Sequence, residues 1–173
     1  IAPIQELLDL AKRYDALLLV DDAHGFGVLG KNGHGILDHF QCSSAETAGH
    51  LIYMGTLGKA AGISGAFVAA HQTLSEWLLQ KSRSYIYTTA SPPHLAHALL
   101  TSLDLIEQGD LRERLQANIA AFKESLQLQQ WTLMSSDTAI QPIVIGENGM
   151  ALRGAKELLE LGIWVPAIRP PTV

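Results

Sequence analysis

Cysteine is almost missing from this chain of 173 residues: Cys42 stands alone. No disulfide framework can form within the chain, and a cytoplasmic setting is expected rather than an oxidising one. Long apolar runs are missing too. The longest, such as Ala16 to Val20, fall far short of the roughly 20 residues that span a bilayer. There is no block of Lys or Arg, and the formal charge is 12 − 17 = −5, so neither nucleic acid nor a membrane is an expected partner. The N-terminus lacks the basic, apolar, small-residue order of a secretory signal. What the chain does have is a hydrophobic content of 47%, enough to bury a sizeable core.

The chain opens on Ile1 and stops at Val173 just after an apolar run. We therefore expect an internal piece of a longer protein, inactive on its own. Pro3 to Tyr14 predicts a helix, with Ile4, Leu7, Leu8 and Ala11 on one face and Pro3 in its first turn. Ala16 to Asp21 is a short continuous apolar run ending in acid. That pattern predicts a strand buried on both faces, as in a parallel sheet. A glycine-rich loop, His24 to Gly35, follows. Leu51 to Thr56 predicts a second buried strand, Leu57 to Gly62 a loop, and Gly65 to Ala70 a third strand. Thr73 to Arg83 repeats Leu74, Trp77, Leu78 and Lys81 at helical spacing. Tyr85 to Thr88 predicts a short β segment. Two helices, His94 to Glu107 and Leu111 to Leu126, are parted by Gly109-Asp110, a stop followed by an N-cap. A strand over Ile140 to Ile145, a helix over Met150 to Leu161 and a strand over Ile163 to Ile168 complete the pattern. Gln41 to Gly49 is polar and small, and is expected as a surface loop.

Alternation of helix and buried strand indicates an α/β layer fold. We place a domain boundary near Gly109, giving 1–108 as one domain and 109–173 as part of a second, smaller one.

Several motifs lose their first meaning on inspection. Gly25-Phe26-Gly27-Val28-Leu29-Gly30 fits G-x-G-x-x-G, but Lys31-Asn32-Gly33-His34-Gly35 follows where a dinucleotide site needs an opening helix. A structural glycine turn is the better reading. Gly58-Lys59 hints at a P-loop, yet Tyr53 stands where its first glycine belongs and Ala60 where its Ser/Thr belongs. His24, His34, His39 and His50 lack ligand spacing, and Cys42 has no cysteine partner, so no zinc site is expected.

Asp21-Asp22-Ala23-His24 is more informative. Acids at the end of a buried strand are costly unless they have a task, and ligands in open α/β sheets bind at the carboxyl ends of strands. Asp22 reads as a cap and Asp21 as functional. Lys59 lies in Met54-Gly55-Thr56-Leu57-Gly58-Lys59-Ala60-Ala61-Gly62, again just past a buried strand, with glycines that permit close approach of a ligand. Neighbouring strands would bring Lys59 close to Asp21. Taken alone, the residues also admit a plain surface ion pair between the two.

In order, Val20-Asp21-Asp22-Ala23-His24-Gly25, Gly55-Thr56-Leu57-Gly58-Lys59 and Tyr85-Ile86-Tyr87-Thr88-Thr89-Ala90-Ser91-Pro92-Pro93 resemble the α-oxoamine synthases. These belong to the fold-type-I, aspartate-aminotransferase-like enzymes that use pyridoxal 5'-phosphate. The resemblance covers essentially the whole chain. It implies the C-terminal part of the large, mostly parallel-sheet cofactor-binding domain over 1–108 and part of the small C-terminal α+β domain over 109–173. Lys59 matches the lysine that holds the cofactor, Asp21 the partner of its pyridine nitrogen, and His24 the donor to its phenolic oxygen. Thr56 matches a phosphate ligand, and Thr89 a residue that reaches the phosphate in the neighbouring subunit, which implies a homodimer with shared active sites. Ala167-Ile168-Arg169-Pro170-Pro171-Thr172-Val173 resembles the branch that condenses L-alanine with a pimeloyl thioester in biotin biosynthesis, with Thr172 at the substrate. The sister branches, such as the ligase that makes 2-amino-3-ketobutyrate, share the first two motifs, so only the later ones separate them. In the family, the residue that stacks on the cofactor ring lies before Ile1, and the arginine for the substrate carboxylate lies after Val173.

Overall fold

The computed structural model describes residues 1–172. It contains α1 (Ile4–Arg13), β1 (Leu18–Asp21), the single turns α2 (Ile36–His39) and α3 (Ser44–Thr47), β2 (Leu51–Thr56), β3 (Ala66–Ala70), α4 (Gln72–Lys81), α5 (Arg83–Ile86), α6 (Pro93–Gln108), α7 (Asp110–Ser125), β4 (Thr132–Leu133), β5 (Ile143–Val144) and α8 (Asn148–Glu160). These divide into two compact units, Ile1–Asn118 and the residues from Ile119 onward, with α7 running through the division.

In the first unit, apolar residues of α1 recur at helical spacing, and Ile4, Leu8 and Ala11 are buried. Ile4 and Leu8 pack with Val20, Leu29, Ile36, Leu51 and Tyr53 into one core. Burying a side chain such as Ile4 or Leu8 contributes about 1.5–3 kcal/mol. The sheet has the order β1-β2-β3. β1 and β2 are parallel, with Leu18 opposite Leu51 and Asp21 opposite Met54. β3 returns antiparallel to β2, with Thr56 opposite Ala66, so the sheet is mixed.

The strand pattern departs from expectation on one point. β1 is not buried on both faces: Val20 is 6% exposed on the side packed with α1, whereas Leu19 is 62% exposed on the other. Leu51, Tyr53 and Gly55 of β2 face the same side as Val20 and are buried. Asp21 and Thr56 therefore share the opposite, open face.

The loop between β2 and β3 closes on itself through Leu57 N–H to the Gly65 carbonyl (2.9 Å) and Ile63 N–H to the Leu57 carbonyl (2.8 Å). Gly109 ends α6 in the left-handed region (φ 87°), which only glycine adopts freely, and α7 starts at once.

Two predicted β segments are corrected. Tyr85 to Thr88 holds no strand. Residues 83–86 form the turn α5, with Ile86 N–H on the Ser82 carbonyl at 3.0 Å and the Thr88 hydroxyl on the Tyr85 carbonyl at 2.6 Å. Aromatic and β-branched residues favour strands only where a neighbouring strand completes the ladder, and none among the described residues does so here. Ile163 to Ile168 is likewise not a strand; its first N–H caps α8 by donating to the Leu158 carbonyl at 2.8 Å. In the second unit, the expected strand over Ile140 to Ile145 is reduced to Ile143–Val144, paired with β4. The polar stretch 41–49 contains α3, which is nucleated by a capping box. Ser43 Oγ accepts from Glu46 N–H (3.3 Å), and Glu46 Oε2 accepts from Ser43 N–H (2.7 Å).

Candidate active site

Parallel strands point their carboxyl ends to one edge, so β1 and β2 deliver their following loops side by side. Asp21 closes β1, and its Oδ1 accepts from Ala23 N–H at 3.0 Å; no described donor holds Oδ2. The ladder continues one residue further, with Asp22 N–H donating to the Met54 carbonyl at 2.9 Å. Asp21 and His24 are exposed, while Asp22 and Ala23 between them are buried. Thr56 closes β2, and three residues on, Lys59 Nζ donates to Thr56 Oγ1 at 3.2 Å. Among the described residues Lys59 forms no salt bridge, so the surface ion pair with Asp21 is not what the structure contains.

The two loops touch. A Cβ on Gly27 (φ 79°) would stand 2.6 Å from the Ala60 Cβ, so the acid-bearing loop passes against the lysine loop with no room for a side chain. Ser102 of α6 donates to the Ala61 carbonyl at 2.7 Å and braces the lysine loop from behind. Arg112 of α7 donates to the Lys31 carbonyl at 2.8 Å and to the Ile106 carbonyl. His34 and Glu107 pair at 3.4 Å. Together these contacts fix the far side of the glycine loop.

The glycines of the lysine segment have different uses. A Cβ on Gly55 would meet the Phe67 ring at 2.8 Å, so Gly55 serves internal packing; Gly58 has nothing nearer than the Ile63 carbonyl at 3.7 Å. No helix opens within the motif Gly25 to Gly30, as a dinucleotide site would need.

Asp22 is the residue whose role sequence reasoning understated. Its expected capping role is met, but at long range. Oδ2 accepts from Ile36 N–H, the first residue of α2, at 2.7 Å and from the Tyr53 hydroxyl at 2.7 Å. Burial holds the Asp22 carboxyl above the usual carboxylate range, against the lowering effect of the Ile36 and Tyr53 hydrogen bonds; burial, then the bond to Asp22, pushes the Tyr53 phenol up as well. The signal that could have found Tyr53 is a phenol in an otherwise apolar buried strand, since such a group needs a polar partner. Ser102 left no comparable signal.

Thr89 lies in the exposed segment after α5, and no described contact ties it to Lys59, Thr56 or Asp21. Thr172 lies in the second unit, where its N–H donates to the Arg169 carbonyl at 2.9 Å. A cavity of about 370 Å³ bordered by Leu17, Leu51, His71, Leu74 and Trp77 sits at the opposite edge of the sheet, beside the start of β1. It carries neither lysine nor acid and lies away from Lys59.

An α/β sheet presenting acid, imidazole, hydroxyl and amine on the loops of one strand edge defines a small-molecule enzyme scaffold. The chain belongs to the aminotransferase class I and II family, whose model matches residues 1–173. Over its whole length it is 56% identical to 8-amino-7-oxononanoate synthase of Janthinobacterium sp., covering 44% of that protein. It is 39% identical to the solved 8-amino-7-oxononanoate synthase of Francisella tularensis, with a TM-score of 0.79, covering 96% of this chain and 50% of that one. It is 29% identical to serine palmitoyltransferase K265A of S. paucimobilis, solved with bound PLP and myriocin, with a TM-score of 0.86, covering all of this chain and 43% of that one. The fold-type-I α/β architecture implied by the motifs is thus shown. The chain spans less than half the length of the curated relatives it matches. No helix of the described residues is long and apolar enough to cross a membrane.

Proposed function

We propose that the intact protein is an 8-amino-7-oxononanoate synthase, a pyridoxal-5'-phosphate-dependent acyltransferase of biotin biosynthesis. It joins L-alanine to a pimeloyl thioester, carried on coenzyme A or an acyl carrier protein, and yields 8-amino-7-oxononanoate, CO2 and the free thiol. The observation that carries this reading is the meeting of two loops at one sheet edge: the Asp21–His24 loop lies against the Lys59 loop through Gly27 and Ala60. The 56% identity to a named synthase supports the choice of substrates.

The donor set fits the cofactor. Asp21 has a carboxylate oxygen at a strand tip that no described donor holds, and Lys59 and Thr56 stand together at the next tip. When bound, the cofactor supplies an electron sink for the bond changes at the amino acid's Cα. Asp21 holds the proton on the pyridine nitrogen, because an ionised carboxylate favours the cationic ring; asparagine could not. His24 donates to the phenolic oxygen and Thr56 Oγ1 to a phosphate oxygen. Lys59 Nζ anchors the cofactor, takes the Cα proton of L-alanine as general base and returns a proton to the product. Lysine suits this work because its amine can act as a nucleophile and a base, which the arginine guanidinium does not do. Thr89 reaches the phosphate in the partner's site, so the working unit is a homodimer with shared sites, and Thr172 contacts the substrate. Residues 1–108 form part of the large domain and 109–173 part of the small one. A cytoplasmic setting fits the lone Cys42.

Borohydride reduction of the intact protein with the cofactor should fix it covalently to Lys59, and Lys59→Ala should abolish the label. A label retained in that variant refutes the assignment. Turnover of L-alanine with pimeloyl thioester, against glycine with acetyl or succinyl thioester, tests the substrate.

A further inference from the structure

We propose that Asp22 and Tyr53 form a positioning pair that sets the direction in which Asp21 and His24 present their side chains at the tip of β1. This rests on the functional reading above.

Asp22 is only 5% exposed, although its neighbours in sequence at 21 and 24 are open. Its carboxylate is a knot joining three pieces of chain. It belongs to the tip of β1, it is held by Tyr53 from β2 at 2.7 Å, and it is held by Ile36 N–H, where the glycine loop ends, at 2.7 Å. The main chain around it is fixed as well: Asp22 N–H is on the Met54 carbonyl (2.9 Å), and the Asp22 carbonyl accepts from Gly25 N–H and Phe26 N–H, both at 3.0 Å. The loop is wound so tightly that a Cβ at Gly25 or Gly35 would strike the carboxylate itself.

Burying a carboxylate carries a desolvation cost, which an apolar pair of similar volume would avoid. Hydrogen bonds add what apolar contact lacks, a defined direction. These bonds restrain the turn from Asp22 to Phe26, and with it the main chain that carries the outward side chains of Asp21 and His24. Among the described residues the Asp22 and Tyr53 side chains bond to each other and to main-chain groups of Ile36 and His34, so they act through Asp21 and His24.

The test uses the intact protein loaded with pyridoxal 5'-phosphate, in Tyr53→Phe, Asp22→Asn, Asp21→Asn and the Tyr53→Phe/Asp21→Asn double variant. Tyr53→Phe removes one hydroxyl and keeps the ring, so it carries the test even where Asp22→Asn does not fold. The expected result has three parts. Borohydride still fixes the cofactor on Lys59. The visible circular dichroism induced in the bound cofactor falls. Turnover drops about 10- to 100-fold in kcat, with KM nearly unchanged, as an ångström-scale misplacement predicts. The double variant should be slower than Asp21→Asn by clearly less than the Tyr53→Phe factor, because the part of that factor that acts through Asp21 is already lost. Wild-type dichroism and kcat in Tyr53→Phe would overturn the proposal, as would a double variant slower by the product of the two single effects. Failure of the wild type to be labelled at Lys59 would overturn the functional reading, and this inference with it; labelling together with additive variants overturns the inference alone.

Discussion

Gly27 and Gly49 offer a matched pair for testing whether the two loops really meet. Both have φ of 79°, so alanine at either position meets the same left-handed backbone penalty, about 1–2 kcal/mol. They differ in surroundings. A Cβ at Gly27 would stand 2.6 Å from Ala60 and 3.4 Å from Ile106, whereas Gly49 has nothing within 4 Å. Gly27→Ala must in addition push the lysine loop aside, an overpacking cost of about 1–3 kcal/mol. The total is about 2–5 kcal/mol for Gly27→Ala and about 1–2 kcal/mol for Gly49→Ala. With a urea m-value of about 2 kcal/mol/M, the steric difference separates the two midpoints by about 0.5–1.5 M. Urea unfolding of the intact protein reads this directly. Borohydride labelling of Lys59 should fall in Gly27→Ala and stay at the wild-type level in Gly49→Ala. Equal midpoints and equal labelling would refute the claim that Gly27 is a contact point between the acid loop and the lysine loop.

The buried carboxylate makes a pH-dependent prediction. Burial raises the Asp22 pKa above its ordinary value of 3.8, so the folded state binds that proton more tightly than the unfolded state. The stability owed to this group is greatest below the unfolded pKa and declines as pH rises from about 3.8 through the raised folded value. The stability of wild type minus that of Asp22→Asn should therefore fall with pH across that window and then level; a difference that climbs with pH would contradict the cause given. Ser102→Ala removes the hydroxyl that holds the Ala61 carbonyl. It should cost about 1 kcal/mol and speed amide hydrogen exchange in the loop 57–65, with exchange in α1 unchanged as the control.

Much of the first unit was legible in advance because its elements are built from short-range pattern. The apolar face of α1, the continuous apolar run of β2 and the Gly109 stop each rest on residues a few positions apart, and the structure has all three. The failures share a cause. Tyr85 to Thr88 and Ile163 to Ile168 have strand-forming side chains, but a strand exists only when another strand bonds to it, and that partner is not encoded locally. Leu19 shows the same limit for burial: an apolar residue in an apolar run looks interior until it is known what covers its face. α3 is a different case. Ser43 and Glu46 were a readable capping box inside a stretch taken for plain loop.

For the candidate site, the residues by themselves determined the chemistry on offer: an acid and an imidazole after one apolar strand, a hydroxyl and an amine after the next, in an order that resembles one enzyme family. These are properties of side-chain type and spacing, and they survive without coordinates. Only the tertiary structure decided which of two adjacent acids is open and which is buried. It alone set Tyr53 and Ile36 against Asp22 and packed Gly27 onto Ala60. Those contacts join residues 14 to 33 positions apart, and the free energy that selects them comes from burial and hydrogen bonding between distant segments, which no local window of sequence contains.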